Sequence, residues 1–140
     1  MIIAGDTGGT KTVLALCDDA GHVEREQMYH CAEFDSLESI VERFLGEIGR
    51  PAIRAGCFGV AGPVVAGVAK ITNLPWTITV AGLSAKLGGA PVEVINDLQA
   101  TAYGTLVLPD SAFAVLQAGA KPAVNGSIAV IAPGTGLGEA

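Results

Sequence analysis

Two glycine–threonine turns bracket this chain, and each follows a short apolar run. The first is Gly5-Asp6-Thr7-Gly8-Gly9-Thr10-Lys11-Thr12, behind Met1-Ile2-Ile3-Ala4. The second is Pro133-Gly134-Thr135-Gly136-Leu137-Gly138, behind Ser127-Ile128-Ala129-Val130-Ile131-Ala132. Glycine lets a backbone turn tightly and approach an anion, and successive N–H groups form a phosphate-binding nest. Threonine adds a hydroxyl donor to the same turn. One such loop alone reads equally as a plain hairpin turn. Two, at the starts of two related strand units, predict a clamp on a nucleotide phosphate chain. Its parts are Gly8, Gly9, Thr10 and Lys11 on one side and Gly134, Thr135, Gly136 and Gly138 on the other.

Neither turn fits a better-known phosphate motif. The lysine loop of nucleotide triphosphatases needs Gly directly before Lys-Thr and a helix after it. Here Thr10 precedes Lys11-Thr12, and the residues after Thr12 read as a strand. The second turn has the wrong final spacing for a dinucleotide fingerprint.

Three further positions can carry chemistry. Asp6 lies inside the first turn, where a carboxylate repels phosphate unless a cation lies between them. That points to Mg²⁺, which binds through one or two carboxylates plus phosphate oxygens; the alternative is an aspartate that only shapes the turn. Asn96-Asp97 stands at a strand end and a helix start, where ligands collect in open α/β sheets. A helix N-terminus favours an ionised carboxylate, able to take a proton from a hydroxyl attacking a phosphoryl group. The alternative is an ordinary N-cap. Asn73-Leu74-Pro75-Trp76 joins an amide, a rigid turn and an aromatic plate. It suits a carbohydrate, or it is a hydrophobic plug.

The elements that must position these residues follow from pattern. Residues 2–5, 12–18 and 23–30 read as an opening antiparallel meander. Asp35-Ser36-Leu37-Glu38 reads as a helix start with an acid three residues on. Leu37, Ile40, Val41, Phe44, Leu45 and Ile48 then share one helical face, and Gly49-Arg50-Pro51 stops it. Further strands are expected at 53–60, 92–95, 113–117 and 127–132, a hairpin around Gly67, and helices at 79–87 and from Asp97 to about Val107. Antiparallel strands followed by parallel ones with helical crossovers give a mixed α/β sheet. The closing strand and turn echo the opening ones, as in an internal duplication.

Bulk composition narrows the function. The 140 residues are half hydrophobic with 19 glycines, which suits a dense α/β core. The net charge of −6 and eight scattered basic residues do not form the basic face of a nucleic-acid binder. No apolar run reaches the roughly 20 residues that cross a bilayer. The N-terminus shows no signal-peptide pattern, so a cytoplasmic location is expected. Cys17, Cys31 and Cys57 lack metal or redox spacing and are expected as reduced core residues.

Taken in order, the first turn, Gly59-Val60-Ala61-Gly62-Pro63, Thr72-Asn73-Leu74-Pro75-Trp76, Ile95-Asn96-Asp97-Leu98-Gln99-Ala100-Thr101-Ala102-Tyr103-Gly104 and the second turn closely resemble the N-terminal part of bacterial glucokinases. These belong to the actin/hexokinase/heat-shock ATPase superfamily, and the resemblance covers essentially the whole chain. It implies a ribonuclease H-like first domain over residues 1–107, with 108–140 starting a larger, truncated one. It implies transfer of phosphate from ATP, with Mg²⁺ near Asp6, to the 6-hydroxyl of glucose, and a homodimer in the complete enzyme. Asp97 is the implied base, and Asn96, Asn73 and Gly136 the implied sugar ligands. Alternatives are a sister-group kinase for another hexose or an N-acetylated amino sugar, or a sugar-sensing regulator. Two residues depart from the family's pattern: Lys11 stands where asparagine is usual, and Thr7 where an aliphatic residue is usual. The 140 residues alone are expected to be inactive.

Overall fold

The computed structural model describes residues 1–71, 73–119, 126–133 and 137–139. Contacts divide the chain into two units, Met1–Asp97 and Leu98–Ala140.

The first unit opens with β1 (Ile2–Thr7), β2 (Lys11–Cys17) and β3 (Val23–His30), the expected meander. Helix α1 (Leu37–Glu47) follows, then β4 (Ala55–Val60), β5 (Val64–Val65), β6 (Val68–Lys70), β7 (Thr77–Thr79), α2 (Val80–Lys86) and β8 (Val92–Asn96). Five strands form one sheet in the order β3-β2-β1-β4-β8. β1 and β2 are antiparallel, as are β2 and β3. β1 and β4 are parallel, as are β4 and β8. This is the mixed sheet that the strand pattern predicts, in the ribonuclease H-like form that the resemblance implies.

Strand alternation decides the buried face. Ile3 pairs with Leu16 and Gly56, and Gly5 with Leu14 and Phe58; paired residues point to the same side. Ile3, Leu14, Leu16, Phe58, Val60 and Val94 thus join a core with the apolar face of α1. Leu37, Ile40, Val41, Phe44 and Leu45 are all buried there, and Leu83 and Leu87 join from the α2 side. Burying a side chain such as Phe44 is worth about 1.5–3 kcal/mol.

The α1 start differs from expectation by one residue. Ser36 is the N-cap, its Oγ accepting from the Ser39 N–H at 3.2 Å, and Ser39 Oγ accepts from the Ser36 N–H at 3.3 Å. Two short hydroxyl side chains satisfy each other's backbone donors, so the acid at Glu38 is not needed. Strand β4 begins two residues later than expected, and β7 was not expected at all. Thr77-Ile78-Thr79 extends because Ile78 is fully buried and β7 pairs with β6, completing a small β5-β6-β7 sheet. Thr79 then caps α2, its hydroxyl accepting from the Gly82 N–H at 3.0 Å.

The second unit takes over within α3 (Asp97–Thr105), whose first residue ends the first unit. A hairpin of β9 (Ile131–Pro133) and β10 (Leu137–Glu139) closes the chain. The strand expected at 113–117 is absent: these residues are irregular, and Leu116 is 97% exposed. Among the described residues no strand pairs with them, and β-propensity alone does not make a strand. The strand expected at 127–132 contracts to Ile131–Pro133 for the same reason. The three cysteines are free; Cys17 and Cys31 are buried as expected, whereas Cys57 is only half-buried, facing away from the α1 side.

Candidate functional site

The first turn is braced from behind. Gly8 N–H donates to Lys11 O at 3.0 Å, closing the β1–β2 hairpin. Thr7 O accepts from the Ala61 N–H and Thr10 O from the Cys31 N–H, each at 2.9 Å. The Cys31 thiol lies 3.6 Å from Gly8 O and 3.5 Å from the Thr12 hydroxyl. The Gly8 donor is therefore occupied within the hairpin. The Gly9 and Thr10 N–H groups make no hydrogen bond among the described residues. Lys11 is exposed at the start of β2.

Thr7 lies beneath this turn, fully buried, and its Oγ1 has no hydrogen-bond partner among the described residues. Leaving a buried hydroxyl unsatisfied costs about 1–3 kcal/mol. The cost falls at one of the two positions where the sequence departs from the family pattern.

The acids meet at the strand ends. Asp6 is surface-exposed as a residue, yet its carboxyl is held above the ordinary carboxylate range. Partial desolvation is the larger cause and the charge of Asp97 the next, while Lys11 pulls the other way. Asp6, Asp97 and Lys11 therefore share one electrostatic neighbourhood. A divalent cation beside these carboxylates would relieve the repulsion, and carboxylate oxygens suit Mg²⁺. Among the described residues no three acid, cysteine or histidine side chains group as a metal cage.

A cavity of about 240 Å³ lies in the first unit, lined by Gly9, Ala61, Ile71, Asn73 and Asp97. The fold thus brings together three of the expected residues: one from the turn, one from the β6–β7 loop and one from the head of α3. Asn96 does not line this cavity; its Nδ2 donates to Gly62 O at 3.2 Å. That carbonyl belongs to a glycine fitted against β6, where an added Cβ would stand 2.5 Å from Lys70 O. Trp76 is 4% exposed and belongs to the core, so it is the plug of the two readings. Ile71 and Ala61 were not expected as lining residues. Ala61 lay inside a turn already singled out, but nothing in the apolar Ile71 marks it before the chain is folded. Gly134, Thr135 and Gly136 lie outside the described residues, and Gly138 sits within β10 opposite Ala132.

A mixed five-stranded sheet, with a glycine turn after its first strand and an acid at the end of its last, is the fold of the actin/hexokinase/heat-shock ATPase superfamily. Within it, the chain belongs to the glucokinase family, whose model matches residues 3–140. It is 38% identical over 143 residues to a glucokinase of Nostoc punctiforme, a match covering 99% of this chain and 42% of that protein. An Enterobacter glucokinase is 34% identical over 137 residues, covering 97% of this chain and 42% of its own length. The crystal structure of a glucokinase from an Antarctic psychrotroph superposes with a TM-score of 0.83 at 33% identity, over 99% of this chain and 44% of that one. A ROK family glucokinase from Streptomyces griseus, solved with glucose and AMPPNP, shares the fold at a TM-score of 0.65 and 23% identity, over 99% and 43%. The chain spans about 42% of the length of the curated relatives it matches. No described helix is long and apolar enough to cross a membrane.

Proposed function

We propose that this chain supplies the first phosphate turn and the catalytic base of a kinase that moves the terminal phosphoryl group of ATP to the 6-hydroxyl of glucose. The observation that carries the reading is the shared cavity, with Gly9 of the turn and Asp97 on the same wall set and Asn73 beside them. A hydroxyl held there stands within reach of both a proton acceptor and the phosphate donors.

In this reading Gly9 and Thr10 donate backbone N–H groups to phosphate oxygens, and Lys11 adds positive charge. Asp97, at the head of α3, takes the hydroxyl proton as the sugar oxygen attacks phosphorus and the bond to the ADP oxygen breaks. Asn73 and Asn96 orient the sugar, with Asn96 also tying the Gly62 turn in place. Asp6 is the residue of this chain that would hold Mg²⁺, directly or through water, and the ion would supply positive charge against the phosphates. Gly134, Thr135, Gly136 and Gly138 form the second phosphate loop, with Gly136 also at the sugar. The small lobe extends through residue 107 and the larger one begins at 108. Most of the catalytic gain comes from positioning two substrates in one water-excluding cleft, so the remaining length of the whole protein is needed for turnover. The whole protein works as a cytoplasmic homodimer.

The test is Asp97→Asn in the complete protein, assayed for coupled formation of glucose 6-phosphate and for glucose binding. Loss of kcat by at least ~10² with glucose still bound is the expected result. Near-normal kcat overturns the assignment. Equal kcat/KM for an N-acetylated amino sugar and for glucose in the unmodified protein would move the substrate to the sister class.

A further inference from the structure

We propose that Gly9 is a positioning residue for the sugar as well as a phosphate donor, because the missing side chain at Gly9 is the space that holds Asn73 in the cavity. This rests on the reading above, in which Asn73 is a sugar ligand. A Cβ built on Gly9 would stand 3.2 Å from Asn73 Cβ, 3.5 Å from its Nδ2 and 3.9 Å from its Cγ. The Asn73 side chain, through Cβ, Cγ and Nδ2, therefore lies across the bare Cα of the turn. The first distance is tighter than ordinary van der Waals contact, so an added methyl must displace something.

The surroundings decide what moves. The turn is tied by Thr7 O to Ala61 and by Thr10 O to Cys31, each at 2.9 Å. The loop carrying Asn73 is anchored on both sides by Ile71 and Trp76, 5% and 4% exposed. Its backbone is also joined across Leu74 N–H to Ile71 O. Both backbones are held, while the Asn73 side chain is exposed on its outer side. Side-chain rotation does not move Cβ, so a methyl at Gly9 pushes Asn73 itself outward by a few tenths of an ångström and shifts its amide in the cavity it shares with Asp97. The same turn contains its own control. A Cβ on Gly8 meets only Lys11 O, at an ordinary 3.6 Å.

The consequence is a division of labour inside one turn. The backbone N–H of Gly9 faces phosphate, and its bare Cα fixes the sugar-side amide. The two substrate half-sites are thus in direct contact, and a change at the phosphate turn is read out at the sugar.

The experiment uses the complete kinase, with glucose and ATP kinetics and equilibrium glucose binding in the absence of nucleotide. Gly9→Ala raises the glucose KM and the glucose Kd at least about fivefold, with the ATP KM changed less than about twofold. Gly8→Ala changes glucose affinity less than about twofold. Asn73→Gly, which removes the clashing Cβ and the amide together, weakens glucose binding by itself. Adding Gly9→Ala to Asn73→Gly then has no further effect on glucose, the non-additivity that a direct contact produces. Should Gly9→Ala fold poorly, recovery of its melting temperature in the double variant carries the same test. A Gly9→Ala enzyme with a raised ATP KM and unchanged glucose affinity overturns the proposal while leaving the function intact. So does an equal glucose penalty with and without the Asn73 side chain. An Asn73→Gly enzyme with unchanged glucose affinity instead defeats the assignment of Asn73 to the sugar, and the proposal with it.

Discussion

Helices α1 and α3 both have a polar residue at their N-terminus, the Ser36 cap of α1 and the first residue Asp97 of α3, and run for two to three turns, yet they do opposite work. α1 buries five apolar side chains and is capped at both ends, with Ser36 and Ser39 at the start and Ile48 N–H bonding to Phe44 O at the finish. α3 buries none and presents Asp97 at its first residue. The contrast extends to the units that hold them. Every buried side chain among the described residues lies between Ile3 and Ile95. Leu106, Val107, Leu108, Phe113, Val115 and Leu116 in the second unit are all exposed. Residues 1–97 thus hold a self-contained core that carries a site at its edge, while the apolar side chains of residues 98–140 find no core of their own among the described residues.

The largest expected effect tests whether that division matters for chemistry. The 140 residues alone should give no detectable glucose 6-phosphate in a coupled assay, while the complete protein turns over. Robust turnover by the short chain would show that residues 98–140 complete the cleft unaided, and would break the comparison. Next in size is a paired truncation. Phe44→Ala should cost about 3–5 kcal/mol in denaturant unfolding, whereas Leu116→Ala should stay within about 0.5 kcal/mol. Similar losses at both positions would mean that the second unit has a core after all.

Smaller effects sharpen the picture inside the first unit, where structure and site compete. Thr7→Val removes the orphaned hydroxyl at nearly constant shape and should stabilise the chain by about 1 kcal/mol, read as a higher denaturant midpoint at unchanged slope. A destabilised Thr7→Val would mean that the hydroxyl has a partner in solution. The smallest effect is electrostatic. Asp6 has a folded-state pKa above its ordinary 3.8, so the folded chain binds its proton more tightly than the unfolded chain. Stability from this group is then highest below pH 3.8 and falls as pH rises through the folded pKa. Asp6→Asn should therefore raise Tm at pH 7, with the gain shrinking as pH falls towards 4. A gain that persists unchanged at pH 4 would rule out the carboxylate charge as its source.

Much of the fold was legible because its signals are local. The opening meander follows from runs of apolar and β-branched residues punctuated by glycine and aspartate. The α1 face follows from the 3.6-residue spacing of Leu37, Ile40, Val41, Phe44 and Leu45. Elements that fail locally are those made by pairing. β7 exists because β6 lies beside it, and 113–117 is not a strand because no described strand does so. The helix cap shifted by one residue because Ser36 and Ser39 can serve each other, an alternative that spacing alone does not rank above Asp35 and Glu38.

The site divides along the same line. Residue types drew attention to Asp6, Gly8 to Lys11, Asn73, Asn96 and Asp97 with a plain structural reading open at each, and the resemblance to glucokinases is what implied their roles. Only the folded chain placed Gly9, Asn73 and Asp97 around one cavity and joined Ala61 and Ile71 to them. It also turned Asn96 towards Gly62 and sent Trp76 into the core. The physical reason is range. Turn chemistry and hydrophobic periodicity act over a few neighbouring residues and are written in sequence. Which side chains share a cavity depends on parallel pairing of β1, β4 and β8, segments some fifty and forty residues apart along the chain, and that closeness is decided only when the sheet closes.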